Sequence, residues 1–133
     1  MQDLWRRSAR AMVAALGRGE LRPSEAIEAA LDRIAQVEPK VNAVPTLCRE
    51  RALAHAARLE RLAPARRGPL AGLPVLVKDL VDVAGVRTTY GSPIWRDHVP
   101  ETSDYLVERI EAAGGIVLGK TNTPEFGAGA VTF

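Results

Sequence analysis

The stretch GGIVLGKT, residues 114–121, satisfies the phosphate-loop pattern G-x-x-x-x-G-K-[ST] letter for letter. In a phosphate loop a strand comes first, the glycine-rich segment wraps phosphates with backbone N–H groups, and Lys-Thr opens a helix. Here the residues before Gly114 read as a helix over 103–113, capped by Thr102 or Ser103, with Asp104 in its first turn. Ile116, Val117 and Leu118 lie between the two glycines and favour a buried strand, which cannot also curl into an anion nest. Asn122-Thr123-Pro124 then delays any helix. The glycines are better read as a helix stop and a strand end. Lys120 becomes a strand-end lysine, partly exposed. Nucleotide binding by residues 114–121 stays as the weaker alternative.

Outward from that stretch, LPVLVKDLVDVAG (73–85) is a valine-rich apolar run bounded by Gly72-Leu73-Pro74 and Gly85. It reads as a strand followed by a turn or a second strand. Strand, helix, strand is a parallel α/β unit. The first half is helical. Residues 3–16 place Trp5, Ala9, Met12, Val13 and Leu16 on one stripe, with Gly17 as a stop. A second helix opens at Pro23-Ser24, with Ser24 as its cap and Ile27, Ala30, Leu31, Ile34 and Val37 as its stripe, and should end before Pro39. A third runs from about Cys48 to Leu62, and RLAPARRGPLAG is a connection. The expected fold class is α/β: a helical lead over about 1–67, then a strand–helix–strand portion over about 68–133. The chain closes on GAGAVTF with no helix or polar tail, which predicts an interrupted domain; a natural end that folds back is the alternative.

The chain has 133 residues, enough for one domain. Its 47% hydrophobic and 26% charged residues suit a soluble globular protein. No apolar run is long enough to span a membrane, the N-terminus lacks the apolar stretch of a secretory signal, and the single Cys48 excludes an internal disulfide. These features point to the cytoplasm. Net charge is +2, with 13 basic and 8 acidic groups in residues 1–67 and 5 basic and 8 acidic groups in residues 68–133. The arginines of the first half alternate with glutamate and alanine at helical spacing, without interleaved aromatics, so they read as a solvated helical surface rather than a nucleic-acid patch.

Three lysines stand against fifteen arginines. Arginine stays protonated, whereas a buried lysine can lose its proton, so each lysine invites a question about chemistry. Lys40 reads as surface. Lys78 follows Val75-Leu76-Val77, and strand alternation puts its side chain on a face with Leu76 and Leu80. Burial there disfavours the ammonium, which is how a lysine becomes a base near neutral pH. A salt bridge to Asp79 or Asp82 explains it equally well. The remaining groups suggest little. His55 and His98 are far apart, Cys48 lacks a spaced partner, and no metal cluster emerges. His55 reads as surface and Asp97-His98 as a loop. Of four serines, Ser8, Ser24 and Ser103 belong to helices or caps, Ser92 is a turn residue before proline, and none sits in G-x-S-x-G.

Three stretches together, ELRPSEAIEAALDRIAQVEPKVNAV (20–44), GPLAGLPVLVKDLVDVAGVRTTYGS (68–92) and TSDYLVERIEAAGGIVLGKTNTPEFGAG (102–129), resemble the N-terminal part of an amidase-signature enzyme. The likeness begins near residue 4 and covers nearly all of the chain. It implies a large α/β domain, a mixed twisted sheet flanked by helices, of which this chain carries the first strands. It implies hydrolysis or transfer of the acyl group of an amide without metal or organic cofactor. It also implies a Ser–cisSer–Lys mechanism, in which a bridging serine relays the nucleophile's proton to a neutral lysine and backbone N–H groups hold the oxyanion. Lys78, in VKDL, matches that lysine. Gly127 and Ala128, in the segment 122–128, match a region beside the substrate pocket. Both catalytic serines belong to a glycine- and serine-rich motif that this chain does not contain. The resemblance therefore implies a piece that is inactive alone, with a small amide substrate and the remainder of the amidase chain as its partners, and no nucleic acid or membrane. A non-catalytic fragment that binds a complementary chain is the alternative.

Overall fold

The computed structural model describes residues 4–132. It is a mixed α/β arrangement: α1 (Ala9–Gly17), α2 (Pro23–Val41), β1 (Thr46–Leu47), α3 (Arg49–Glu60), β2 (Pro74–Lys78), α4 (Tyr105–Ala112) and β3 (Ile116–Thr121). The sheet order is β1-β3-β2, with β2 parallel and β1 antiparallel to β3. The expected parallel unit is β2–α4–β3. The two-residue β1 was not expected. It is too short to carry an alternation signal, and only its partner β3 defines it. Among the described residues no helix is long and apolar enough to cross a membrane.

Residues 116–121 are strand throughout, so GGIVLGKT forms no phosphate loop. Two of its glycines answer to packing. Gly114 has φ +86° at the stop after α4, and a Cβ there would lie 1.9 Å from the Arg67 carbonyl oxygen. A Cβ on Gly119 would lie 2.4 Å from the Thr46 carbonyl oxygen, where β1 crosses β3.

Helix ends differ from expectation where side chains compete for the cap. The first helix starts at Ala9, because Ser8 is extended and its hydroxyl accepts from the Ala11 N–H at 3.2 Å. Residues 4–6 form a separate 3₁₀ turn, and residue 3 lies outside the described residues. Trp5 leaves the expected stripe and sits half exposed, with the Arg6 and Arg33 guanidinium carbons 4.8 and 4.1 Å from its ring centre. For α2 the Glu25 carboxylate, not Ser24, closes the N-terminus, accepting from the Arg22 N–H at 2.8 Å. The helix then runs through Pro39 to Val41. A proline this late removes one bond in the last turn, and Asn42, at φ +49°, donates its N–H to the Glu38 carbonyl. Asp104 rather than Thr102 or Ser103 caps α4, accepting from the Leu106 N–H at 2.8 Å, while the Ser103 hydroxyl accepts from the Ala84 N–H.

The core lies on both faces of the sheet. Ile116 and Leu118 pack against Ile27, Leu31, Ala52, Ala56 and Leu59 of α2 and α3. Val77 and Val117 pack on the opposite face with Val83, Val86 and Val107. Each such side chain contributes roughly 1.5–3 kcal/mol on burial. A third cluster joins Leu4, Met12 and Leu16 to Leu21 and Ala26.

His55, expected at the surface, is buried at 8% exposure. It faces Glu111, which also holds Arg51 at 2.6 Å, and its Nδ1 lies 3.8 Å from that carboxylate and has no hydrogen-bond partner among the described residues. Burial holds the imidazole below its ordinary 6.5, against the pull of Glu111 and with Arg58 and Arg51 adding to the effect. The unfolded chain therefore takes up this proton first. Stability from His55 should be full above 6.5 and lost as pH falls from there through the lowered folded value. The expected result is a urea midpoint that falls between about pH 7.5 and 5, with a slope that flattens in His55→Leu.

Candidate active site

Lys78 closes β2, and its carbonyl accepts from the Val81 N–H at 3.0 Å, so residues 78–81 form a tight turn. Val77 and Asp79 point inward, while Leu76 and Lys78 point outward and are exposed. The face shared with Leu76 is as expected. The burial is not, because Lys78 ends a strand at the sheet edge, where that face opens into a groove and leaves Leu76 37% exposed. Neither expected acid pairs with Lys78. Asp79 is held by Lys120 and by Thr89, which gives it both its N–H and its hydroxyl. Asp82 accepts from the Tyr90 hydroxyl at 2.6 Å, an interaction that pushes the phenol up to about 12. Among the described residues the Lys78 amine makes no hydrogen bond or ion pair.

The segment after β3 folds back toward this amine. The Phe126 N–H donates to the Tyr90 carbonyl at 2.7 Å, Gly127 to Pro124 at 2.9 Å, and Ala128 to Glu125 at 2.9 Å. The Ser92 hydroxyl donates to Glu125 at 2.7 Å, tying residues 90–92 to the same loop. A Cβ placed on Gly127 would lie 2.9 Å from Leu80 Cδ2 and 3.9 Å from Lys78 Nζ. Lys78, Leu80 and Gly127 therefore share one corner, at the carboxyl end of two parallel strands. Open α/β sheets bind ligands at that end. Ala128 follows Gly127 and is exposed. The four serines are engaged elsewhere: Ser8 at a cap, Ser24 through its N–H to Glu60, Ser92 on Glu125, and Ser103 on Ala84. His98 lies in a loop, as expected, edge-on to Trp95 at 5.0 Å.

Lys120 departs most from expectation. It is the largest fully buried side chain, with 0% exposure. Its Nζ donates to the Val81 carbonyl at 2.7 Å and to Thr88 Oγ1 at 2.7 Å, and lies 3.3 Å from Asp79 Oδ1. Burial holds this ammonium below its usual range, against the pull of Asp79. β3 is the central strand and is covered on both faces, which buries Lys120; a bulge decides which face it enters. Val75 pairs with Val117, but Leu76 pairs with Gly119, so β3 carries one extra residue. Without it, alternation would put Lys120 on the Ile116–Leu118 face. With it, Lys120 pairs with Val77 and turns to the Val117 face.

The three lysines make this arrangement directly measurable. A small amine-acylating reagent should modify Lys40 and Lys78, both exposed, and should reach Lys120 only when the fold opens. Peptide mass spectrometry reads each site separately.

Residues 25–133 match the model of the family described as Amidase. The chain belongs to the amidase-signature family. It is 40% identical over 95% of its length to an acylamidase of Rhodococcus erythropolis, of which it covers 27%. It is 44% identical over 88% of its length to a glutamyl-tRNA(Gln) amidotransferase subunit of Thermosynechococcus vestitus, of which it covers 25%. Among solved structures, peptide amidase from Stenotrophomonas maltophilia superposes with a TM-score of 0.81 at 37% identity, over 90% of this chain and 25% of that one. This amidase segment thus spans about a quarter of the length of the relatives it matches.

Proposed function

We propose that this segment supplies the lysine of an amide-hydrolysing centre, and that sequence outside residues 1–133 supplies the two serines. The observation that carries the reading is the Lys78 amine: exposed, unpaired among the described residues, and beside Gly127 at the carboxyl end of the parallel strands. A proton acceptor must be reachable and must not be tied up by an acid, and Lys78 meets both conditions. In this reading a serine hydroxyl attacks the amide carbonyl, a second serine passes the proton to Lys78, and the proton goes on to the leaving amine. Gly127 and Ala128 border the substrate, a carboxylic amide. The chemistry is complete without a metal or organic cofactor, and the enzyme is cytoplasmic.

Two surfaces support the need for more chain. Among the described residues β2 has an unpaired edge, and beside it lies an apolar groove of about 370 Å³ between Leu4, Met12, Ile34, Leu76 and Leu118. The test is an assay for release of ammonia or amine from simple amides. The full-length protein should turn over, and residues 1–133 alone should not. Turnover by the segment alone that disappears in Lys78→Ala would sink the division of the centre.

A further inference from the structure

A buried cation is an expensive way to fill space. Methionine would occupy the Lys120 site without desolvating a charge, and apolar replacement of a buried ion pair is often neutral or stabilising. What the ammonium does that methionine cannot is hold three acceptors at once. Two of them, the Asp79 carboxylate and the Val81 carbonyl, belong to the turn over residues 78–81, and the third is Thr88 Oγ1. Thr88 is itself fixed, its N–H donating to the His98 carbonyl and its hydroxyl to the Val86 carbonyl. Lys120 stands on β3, directly across from Val77. It therefore ties the residues on either side of Lys78 to a rigid central strand.

The same network reaches the facing loop. Asp79 accepts from Thr89, the Asp79 carbonyl accepts from the Tyr90 N–H, and the Tyr90 carbonyl accepts from the Phe126 N–H beside Gly127. It also keeps Asp79 turned inward and occupied, so that this carboxylate does not compete for the neighbouring amine. We propose that Lys120, acting through Asp79, is a positioning residue that holds the Lys78 amine against Gly127. The proposal rests on the reading of Lys78 as the proton acceptor. Lys120 is not a catalytic residue, because its side chain is wholly enclosed by protein.

The test uses the full-length enzyme with three variants: Lys78→Ala, Lys120→Met, and the double variant Asp79→Asn with Lys120→Met. The double variant leaves no uncompensated buried charge, and the carboxamide oxygen it introduces can still accept from Thr89. It carries the test if the single variant does not fold. The readouts are kcat, KM and the rate at which N-hydroxysuccinimide acetate acylates Lys78. The expected result for the double variant is a kcat lower by about 10–100-fold with KM within about twofold, the pattern of a misplaced group rather than a lost binding contact. The Lys78 acylation rate should change at least about threefold, since the amine then samples other orientations. A folded double variant with wild-type kcat and acylation rate, while Lys78→Ala is inactive, overturns the positioning role alone. So does a loss confined to KM. A double variant that cannot fold also overturns it, by making the pair a folding element. If Lys78→Ala keeps wild-type turnover, the reading of Lys78 fails, and the acylation rate alone then decides whether Lys120 orients that amine.

Discussion

Lys78→Ala in the full-length enzyme is expected to lower kcat by about 10²–10⁴-fold, the range a positioned general base contributes. The effect should fall on the chemical step, so single-turnover rates should drop in parallel with kcat while KM changes little. Lys78→Arg should be nearly as inactive. Guanidinium keeps its proton, so it cannot receive one from a serine, however well it fills the space. Stability should hardly move. The Lys78 side chain is exposed and makes no hydrogen bond or ion pair among the described residues, and substitutions at such sites stay within about 0.5 kcal/mol. That separation of rate from stability distinguishes this lysine from Lys120. A Lys78→Ala enzyme with turnover within about threefold of wild type would remove Lys78 from the mechanism.

The elements legible in the sequence are those whose signal is local. The valine run of β2, the apolar run of β3 and the helix between them each carry their own pattern, and together they fix a parallel unit. The phosphate-loop coincidence resolves the same way, from the order of neighbouring elements. The α3 bounds fall inside the expected range because no side chain competes for its ends. What stays hidden depends on contacts distant in sequence. His55 meets Glu111 only because the fold brings the end of α4 alongside α3 from a remote part of the chain. Lys120 is buried because β1, β2 and the helices enclose β3 on both sides, and one extra residue in β3 turns it to the Val117 face, since a one-residue shift moves every later side chain to the other side. The site is half legible. The face of Lys78 follows from alternation, while its expected role, like that of Gly127, comes from resemblance. The pairing of Asp79 with Lys120, which leaves Lys78 unpaired, does not follow, because Asp79 is adjacent to Lys78 and is the obvious local partner. The scarcity of lysine is the available signal, and it marks both residues without telling their roles apart.

Lys120→Met should cost about 3–5 kcal/mol of folding stability, the usual penalty for removing one partner of a buried ion pair. The loss has identifiable parts. Asp79 is 2% exposed and would lose its cation, with only the Thr89 donors left beside the carboxyl group. The Val81 carbonyl and Thr88 Oγ1 would each lose a donor at 2.7 Å. Methionine replaces the volume, so no large cavity adds to the penalty. Adding Asp79→Asn should restore most of the loss, because the stranded carboxyl group is its largest part and the neutral carboxamide can still accept from Thr89. Urea unfolding measures this directly: the midpoint should fall in the single variant and recover in the double, with an unchanged slope in both. If the double variant is no more stable than the single, the penalty does not come from an uncompensated Asp79, and the three-acceptor geometry around Lys120 would have to be reassigned as ordinary packing. If it recovers, the ion pair adds little net stability and what it secures is the placement of the turn that carries Lys78.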